Sequence, residues 1–233
     1  FSFMIDNEVI LRNPLARIKS LREEKSEEVC ALSSQEVQIL LSKTKQVYPD
    51  FYPLLFTAIF TGLRQGELMA LTWDSINWVK KQITIDKNYT HGRLGTPKTG
   101  KIRKVDVSLE LVKVLKEWRL ACPKGEKNLL FPNGDGEYQD ANNMIKRRYK
   151  PALNRAGINY IKFHGLRHTY ASLLLAKGVP MKYVQHQLGH SSIKMTMDLY
   201  THLLPETNEQ CVNALDNIVE KTQEPIEIRK FGT

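Results

Sequence analysis

Two stretches of this chain alternate apolar and polar residues as a half-buried strand must: Ile83-Thr-Ile-Asp86 and, more briefly, Val105-Asp-Val107. Between them lie Gly92, Gly95, Pro97 and Gly100, residues that turn a backbone back on itself. The pattern predicts one small antiparallel sheet, with Lys98 in or beside a hairpin. So little strand signal in 233 residues leaves most of the chain to helices. Ser33-Ser-Gln-Glu36 has capping-box spacing and leads into Val37, Ile39, Leu40 and Leu41. A second helix is expected over 51–60, buried through Leu54, Leu55, Ala58 and Ile59 and ended by Gly62, so Arg64 falls at the start of a short helix reaching Leu71. Helical patterns recur over 109–120, 142–155, 166–176, 181–187 and 193–203. The fold class expected is mainly α with a small antiparallel β-sheet, an α+β chain.

A hydrophobic content of 42% is ample for a packed core. The formal charge of +9 is uneven: residues 51–175 hold 21 lysines and arginines against 10 acids, while each flanking region carries one acid in excess. A basic middle of this kind suits a polyanion, because each neutralised phosphate releases condensed counterions; a merely soluble basic surface is the plainer reading of the charge alone. Cys30, Cys122 and Cys211 are odd in number and lack C-x-x-C spacing, as reduced thiols outside a zinc ribbon would be. No apolar run reaches the roughly 18 residues of a membrane span, and no signal sequence opens the chain. A cytoplasmic, nucleoid-associated protein with no membrane partner is expected. Phe1 at the first position, and Asn13-Pro14 ahead of a charged stretch over 17–28, are read as a linker at the start of a fragment.

Chemistry is carried by residues far apart in the chain but of related type: Arg64, Lys98, His164-x-x-Arg167, His190 and Tyr200. Guanidinium is permanently charged and forms paired hydrogen bonds with phosphate oxygens. Taken singly, Arg64 would more simply pair with Glu67 three residues on, and Arg167 would be a solvated helix charge. His164 and Arg167 are three apart and can be directed at one target from a helix or its start. Imidazole there can accept a proton or hold a phosphate oxygen at neutral pH. His168 makes an i,i+4 pair with His164, but the Glu of H-E-x-x-H is missing and no third ligand is near, so no metal is expected and His168 is read as structural. Lys98 lies in Thr96-Pro-Lys-Thr-Gly-Lys101, and Lys101, Arg103 and Lys104 beside it either share its chemistry or contact a nucleic-acid backbone. His190 follows Leu188-Gly189 and precedes Ser191-Ser192, a helix-capping pair whose free N–H groups favour anions; otherwise it is a turn histidine. Tyr200 on the next helix would ordinarily be a half-buried packing residue. Tyr89, Tyr170 and Tyr183 are the tyrosines to control against it, and His186 and His202 are assigned no chemistry.

The segments holding these residues are Thr61-Gly-Leu-Arg-Gln-Gly-Glu-Leu68, Thr96-Pro-Lys-Thr99, His164-Gly-Leu-Arg-His168, Leu188-Gly-His-Ser-Ser192 and Met197-Asp-Leu-Tyr200. In this order and spacing they resemble the catalytic boxes of the tyrosine recombinase (phage integrase) family, over roughly Leu32 to Leu204. The resemblance implies that family's catalytic-domain fold over 30–204, a linker and remnant of an N-terminal core-binding region over 1–29, and a tail over 205–233 that docks on a neighbouring protomer or on its own domain through Val212, Leu215 and Ile218. It implies phosphate-clamping roles for Arg64 and Arg167 with Glu67 orienting the first, a general acid at Lys98, and a nucleophile at Tyr200. His164 and His190 would assist. Implied partners are double-stranded DNA attachment sites, a homotetramer on DNA and an accessory DNA-bending protein, with no cofactor. The expected function is site-specific recombination or integration of a mobile element through a 3′-phosphotyrosine. Type IB topoisomerase-like relaxation and a non-catalytic DNA-binding module are the alternatives.

Overall fold

The computed structural model describes residues 4–5, 7–12, 31–97 and 100–201, with backbone alone at 198–201. Lys98, the linker beyond residue 12, the tail after 201 and, with it, the Val212/Leu215/Ile218 stripe lie outside the described residues. The chain enters through α1 (Ser34–Val47), whose capping box is complete: Ser33 Oγ accepts from the Glu36 backbone N–H at 3.2 Å, and Glu36 Oε2 accepts from Ser33 N–H at 2.8 Å. Reciprocal capping satisfies N–H groups that a helix start otherwise leaves unpaired. Its inward face is Val37, Leu40, Leu41 and Thr44.

Helix α2 (Tyr52–Thr61) is apolar all round and sits at the centre, against α1 and the helices that follow. Its two threonines tolerate that burial because each hydroxyl donates to the carbonyl four residues back, Thr57 to Pro53 at 2.7 Å and Thr61 to Thr57 at 2.6 Å. It stops at Gly62, which takes φ 61°. A β-carbon there would meet Tyr170 Cδ1 at 2.6 Å and Leu188 Cδ2 at 2.7 Å, so both backbone conformation and space demand glycine. The sharp stop releases Arg64 as the N-cap of α3 (Gln65–Ala70).

The strands form an antiparallel sheet in the order β1 (Ile76–Asn77), β2 (Gln82–Ile85), β5 (Arg103–Asp106), with Ile83 opposite Val105 and Ile85 opposite Arg103. Between β2 and β5 the chain makes a separate hairpin, β3 (Asn88–Thr90) with β4 (Arg93–Gly95). Its two-residue turn, His91-Gly92, has positive φ at both positions, 52° and 74°, and its first strand packs on α3. The single sheet read from the sequence is therefore a sheet plus a hairpin, and the glycine-rich stretch is what folds back separately.

The C-terminal half is helical. It runs through α4 (Leu109–Ala121), then α5 (Ala141–Met144) and α6 (Lys150–Arg155), which one π-helical turn (Ile145–Tyr149) joins into a continuous rod. Then follow α7 (Gly165–Ala176), α8 (Met181–Leu188) and α9 (Lys194–Thr201). A large apolar cluster unites α1 to α4 with the sheet and the rod, and a smaller one of Tyr170, Ala171, Leu175, Val184 and Leu188 packs α7 on α8. The mainly α fold with small antiparallel sheets is the class the sequence pattern indicates. The seam between the two clusters brings Gly62, the start of α7 and the end of α8 together, and the site lies there.

Candidate active site

Arg64 and Arg103 meet at the Glu67 carboxylate. Glu67 is 1% exposed on the first turn of α3. Its Oε2 accepts from the Arg64 backbone N–H at 2.9 Å and its Oε1 from Arg64 Nη1 at 3.1 Å. From the opposite side, Arg103 donates Nη1 to Oε1 at 2.8 Å and Nη2 to Oε2 at 2.7 Å, a two-pronged ion pair. Burial pushes the Glu67 carboxyl up, but the bonds and charges of Arg103 and Arg64 outweigh it and hold the group below the usual range. Glu67 is an anion flanked by two cations. Arg103 was expected on the DNA-contacting surface with Lys101 and Lys104; instead it points inward, 9% exposed, while Lys101 and Lys104 are exposed as expected. Strand alternation is the reason. Arg103, Val105 and Val107 share one face, and that face is the core side.

Arg167 stands in the opposite kind of surroundings. It lies on the first turn of α7, 2% exposed, and donates Nη1 to the Gly62 carbonyl at 2.8 Å and Nη2 to the Leu188 carbonyl at 2.6 Å. These carbonyls end α2 and α8, so the last backbone acceptors of two helices fix the guanidinium in place. Burial, followed by the charge of Arg64, lowers its pKa to about 9, and it stays a cation at neutral pH. Among the described residues no carboxylate bonds to it.

The histidines share that field. His164 is the N-cap of α7, with its ring edge-on to that of His168 at 4.9 Å between centroids. Desolvation, then His168, Arg167 and Arg64, pull His164 down to about 4 against the opposing pull of Glu67. His190 follows Gly189, which ends α8 at φ 64°, and its Nδ1 lies 2.9 Å from Thr196 Oγ1 on α9. Its carbonyl accepts from Gln185 Nε2 at 3.2 Å. Desolvation, then Arg167 and Arg64, lower it to about 3. Both imidazoles are neutral at pH 7, and the Nδ1 of His190 is engaged by Thr196. Tyr200 lies on α9 one turn beyond Thr196, and α9 packs on α7 and α8. The structure thus brings Arg64, Glu67, His164, Arg167 and His190 to one place and carries the backbone of Tyr200 beside it.

The control tyrosines are committed elsewhere. Tyr170 is buried in the smaller core, its hydroxyl pKa raised by desolvation. Tyr183 donates to Asp106 Oδ2 at 3.0 Å and is pushed up to about 12, first by burial and then by that carboxylate. Tyr89 stacks on Tyr138 with ring centres 4.1 Å apart. His168 stays beneath the site, lowered by desolvation and by Arg167, with its Nδ1 buried and unbonded among the described residues.

Sequence reasoning missed Gln187 and Asp106. Gln187 is 1% exposed; its Oε1 accepts from Asp106 N–H at 2.9 Å, and its Nε2 donates to Asp106 Oδ2 at 2.8 Å. This exchange pins the end of α8 to β5. A signal existed, since Val184, Gln187 and Leu188 follow the i, i+3, i+4 spacing of a buried helical face.

Among the described residues, then, one core arginine bonds to no carboxylate and has a second arginine and neutral histidines around it, an arrangement suited to an oxyanion. Residues 21–207 match the Phage integrase family, and the chain belongs to that tyrosine recombinase family. It is 34% identical to the tyrosine recombinase XerC-like protein of Caldanaerobacter subterraneus, over 94% of this chain and 63% of that protein. It is 29% identical to the ICEBs1 integrase of Bacillus subtilis, over 94% and 62%. The chain therefore spans less than two thirds of the length of these relatives. Its fold matches the Tn1549 transposon integrase solved in complex with a circular intermediate DNA, with a TM-score of 0.72 and 22% identity, covering 93% of this chain and 75% of that one. These matches are to recombinases and integrases, and they favour neither alternative drawn from the sequence. Among the described residues no helix is long and apolar enough to cross a membrane.

Proposed function

We propose that this chain is the strand-cleaving domain of a site-specific DNA recombinase that integrates or excises a mobile element. The observation that carries the proposal is Arg167, a buried cation held by two backbone carbonyls and lacking a carboxylate among the described residues, with Arg64 and His190 in the same field. That arrangement has its charge completed by a phosphodiester. Tyr200 attacks the scissile phosphorus; the tyrosyl O–P bond forms, the P–O5′ bond breaks, and the product is a 3′-phosphotyrosine with a free 5′ hydroxyl. His164 takes the phenolic proton, and Lys98 gives one to the departing 5′ oxygen. Arg64, Arg167 and His190 stabilise the charge of the phosphorane. One phosphate ester replaces another, so the reverse attack by a 5′ hydroxyl of a partner strand needs no ATP.

Double-stranded DNA attachment sites are the substrate in this reading. The relatives named above are a recombinase and an integrase, and the Tn1549 integrase was solved on DNA. Lys101 and Lys104, exposed beside the site, serve as contacts to the DNA backbone. A homotetramer on two duplexes and an accessory bending protein complete the proposal, in the cytoplasm at the nucleoid.

The test is covalent trapping on labelled DNA from the element's own junction, without added metal, comparing the wild type with Tyr200→Phe. An SDS-resistant, protease-sensitive adduct in the wild type alone is expected. DNA binding without an adduct in either would reduce the chain to a binding module.

A further inference from the structure

Arg103 does more than neutralise a buried acid. Glu67 has about four lone-pair positions to offer, and all are taken: Oε1 by Arg64 Nη1 and Arg103 Nη1, Oε2 by the Arg64 backbone N–H and Arg103 Nη2. A carboxylate gripped at both oxygens from the far side cannot swing, and its near side is what holds Arg64. The Nε of Arg103 donates to the Gln187 carbonyl at 3.3 Å. The next carbonyl in the chain, that of Leu188, holds Arg167. Beyond it the stem of Arg103 lies against Gly189, where a β-carbon would stand 2.8 Å from Arg103 Cδ, and the following residue is His190. One guanidinium is therefore in register with both arginines of the site and with the turn that presents His190. The Gln187–Asp106 exchange braces the same strand against the same helix end.

We propose that Arg103 is a positioning residue for strand cleavage, setting Arg64 through Glu67 and the Arg167–His190 side through the end of α8; the proposal rests on the strand-cleavage reading above. Lysine cannot replace it. A single ammonium cannot lie in plane across both carboxylate oxygens and also keep a bond at the Nε position.

A double-mutant cycle on covalent cleavage tests this. Wild type, Arg103→Lys, Arg64→Lys and the double variant are assayed under single turnover on a nicked DNA that traps the adduct, with DNA affinity and thermal midpoint measured for each. Tyr200→Phe is the blank. Arg103→Lys is expected to slow cleavage roughly 10- to 100-fold, as loss of a group that orients another does, with affinity changed by less. In the Arg64→Lys background the same change is expected to have a markedly smaller effect, because residues acting through one another are not additive. Cleavage by Arg103→Lys at the wild-type rate, or a loss that multiplies independently with Arg64→Lys, overturns the proposal and leaves Arg103 a buttress of stability. If Arg103→Lys does not fold, Glu67→Gln takes its place in the cycle with the same two readings. A wild type that forms no more adduct than Tyr200→Phe overturns the strand-cleavage reading itself, and that result is separate because it appears before any Arg103 variant is compared.

Discussion

The two arginine corners of this site are opposites. At Glu67 a buried carboxylate is saturated by two cations, Arg64 and Arg103. Opposite it, Arg167 is equally buried but among the described residues bonds only to neutral carbonyls, and the two histidines beside it are held uncharged by desolvation and by the arginines. In the first corner Glu67 and Arg103 form a frame that holds Arg64, whose side chain stays partly exposed. The second keeps a positive field that Glu67 offsets only in part, and in the proposed function that field binds the incoming phosphate. A phosphate site thus needs both a rigid paired frame and an unpaired cation, and this fold separates them by assigning one to the α3–β5 contact and the other to the α2–α7–α8 junction.

The sharpest way to break this contrast is Glu67→Ala. Removing the acid leaves Arg103 buried and unpaired, and an expected loss of about 3–5 kcal/mol in unfolding free energy should appear in denaturant titration. A loss under about 1 kcal/mol would mean the pair is not the frame described. Arg167→Met should behave the other way. Cleavage should fall about 10²- to 10³-fold, the scale of losing a preorganised charge stabiliser, while stability falls less than for Glu67→Ala because an uncompensated charge leaves the interior with the side chain. Equal losses of stability in the two variants would erase the distinction.

Proton titration sharpens the second corner. In the free protein the imidazoles of His164 and His190, followed by NMR, should stay neutral until the pH approaches about 4 and about 3 respectively. Because both values lie below that of an unfolded histidine, the unfolded chain takes up protons first as pH falls from about 6.5, and stability declines across that window. An occupying anion such as vanadate should raise both midpoints, so its binding should take up protons and tighten as pH falls from 7 toward 5. Midpoints near 6.5 without ligand would contradict the field inferred here.

Smaller effects belong to the surface. Lys101→Gln or Lys104→Gln should each lower the slope of log affinity against log salt by about 0.9 on duplex DNA if each meets one phosphate; an unchanged slope would remove that residue from the contact surface. The ion pair of Arg148 with Asp50, at 2.8 Å but with both side chains about half exposed, should be worth about 1 kcal/mol or less in a double-mutant cycle. A larger value there would show that pairing alone, without burial, makes a frame.

Much of the architecture was legible in local signals. The capping box at Ser33, the stop at Gly62, the alternation of 83–86 and the helical periods of α4 and of the rod to Arg155 all report interactions within a few residues of one another. The proposed role of Tyr200 rests on its order and spacing after His190, since nothing local separates a nucleophile from a packing tyrosine. Arg103 shows where reading by composition fails. Counted among Lys101 and Lys104 it is one more surface cation, and the period of two running back from Val105 was the signal that it faces inward. Gln187 was likewise hidden among the polar residues of α8 although its spacing with Val184 is that of a core position.

By itself the sequence determined most of the helices, the two main strands, and which residue types stand ready for phosphate chemistry, because capping, turn geometry and hydrophobic period act over a few residues. Only the tertiary structure decided which of those charges are spent and which remain active. Pairing Glu67 with Arg103 spans 36 residues, and fixing Arg167 on the Gly62 carbonyl spans 105. Electrostatic compensation depends on distance and burial in space, and a buried cation differs from a solvated one only by what the fold places around it.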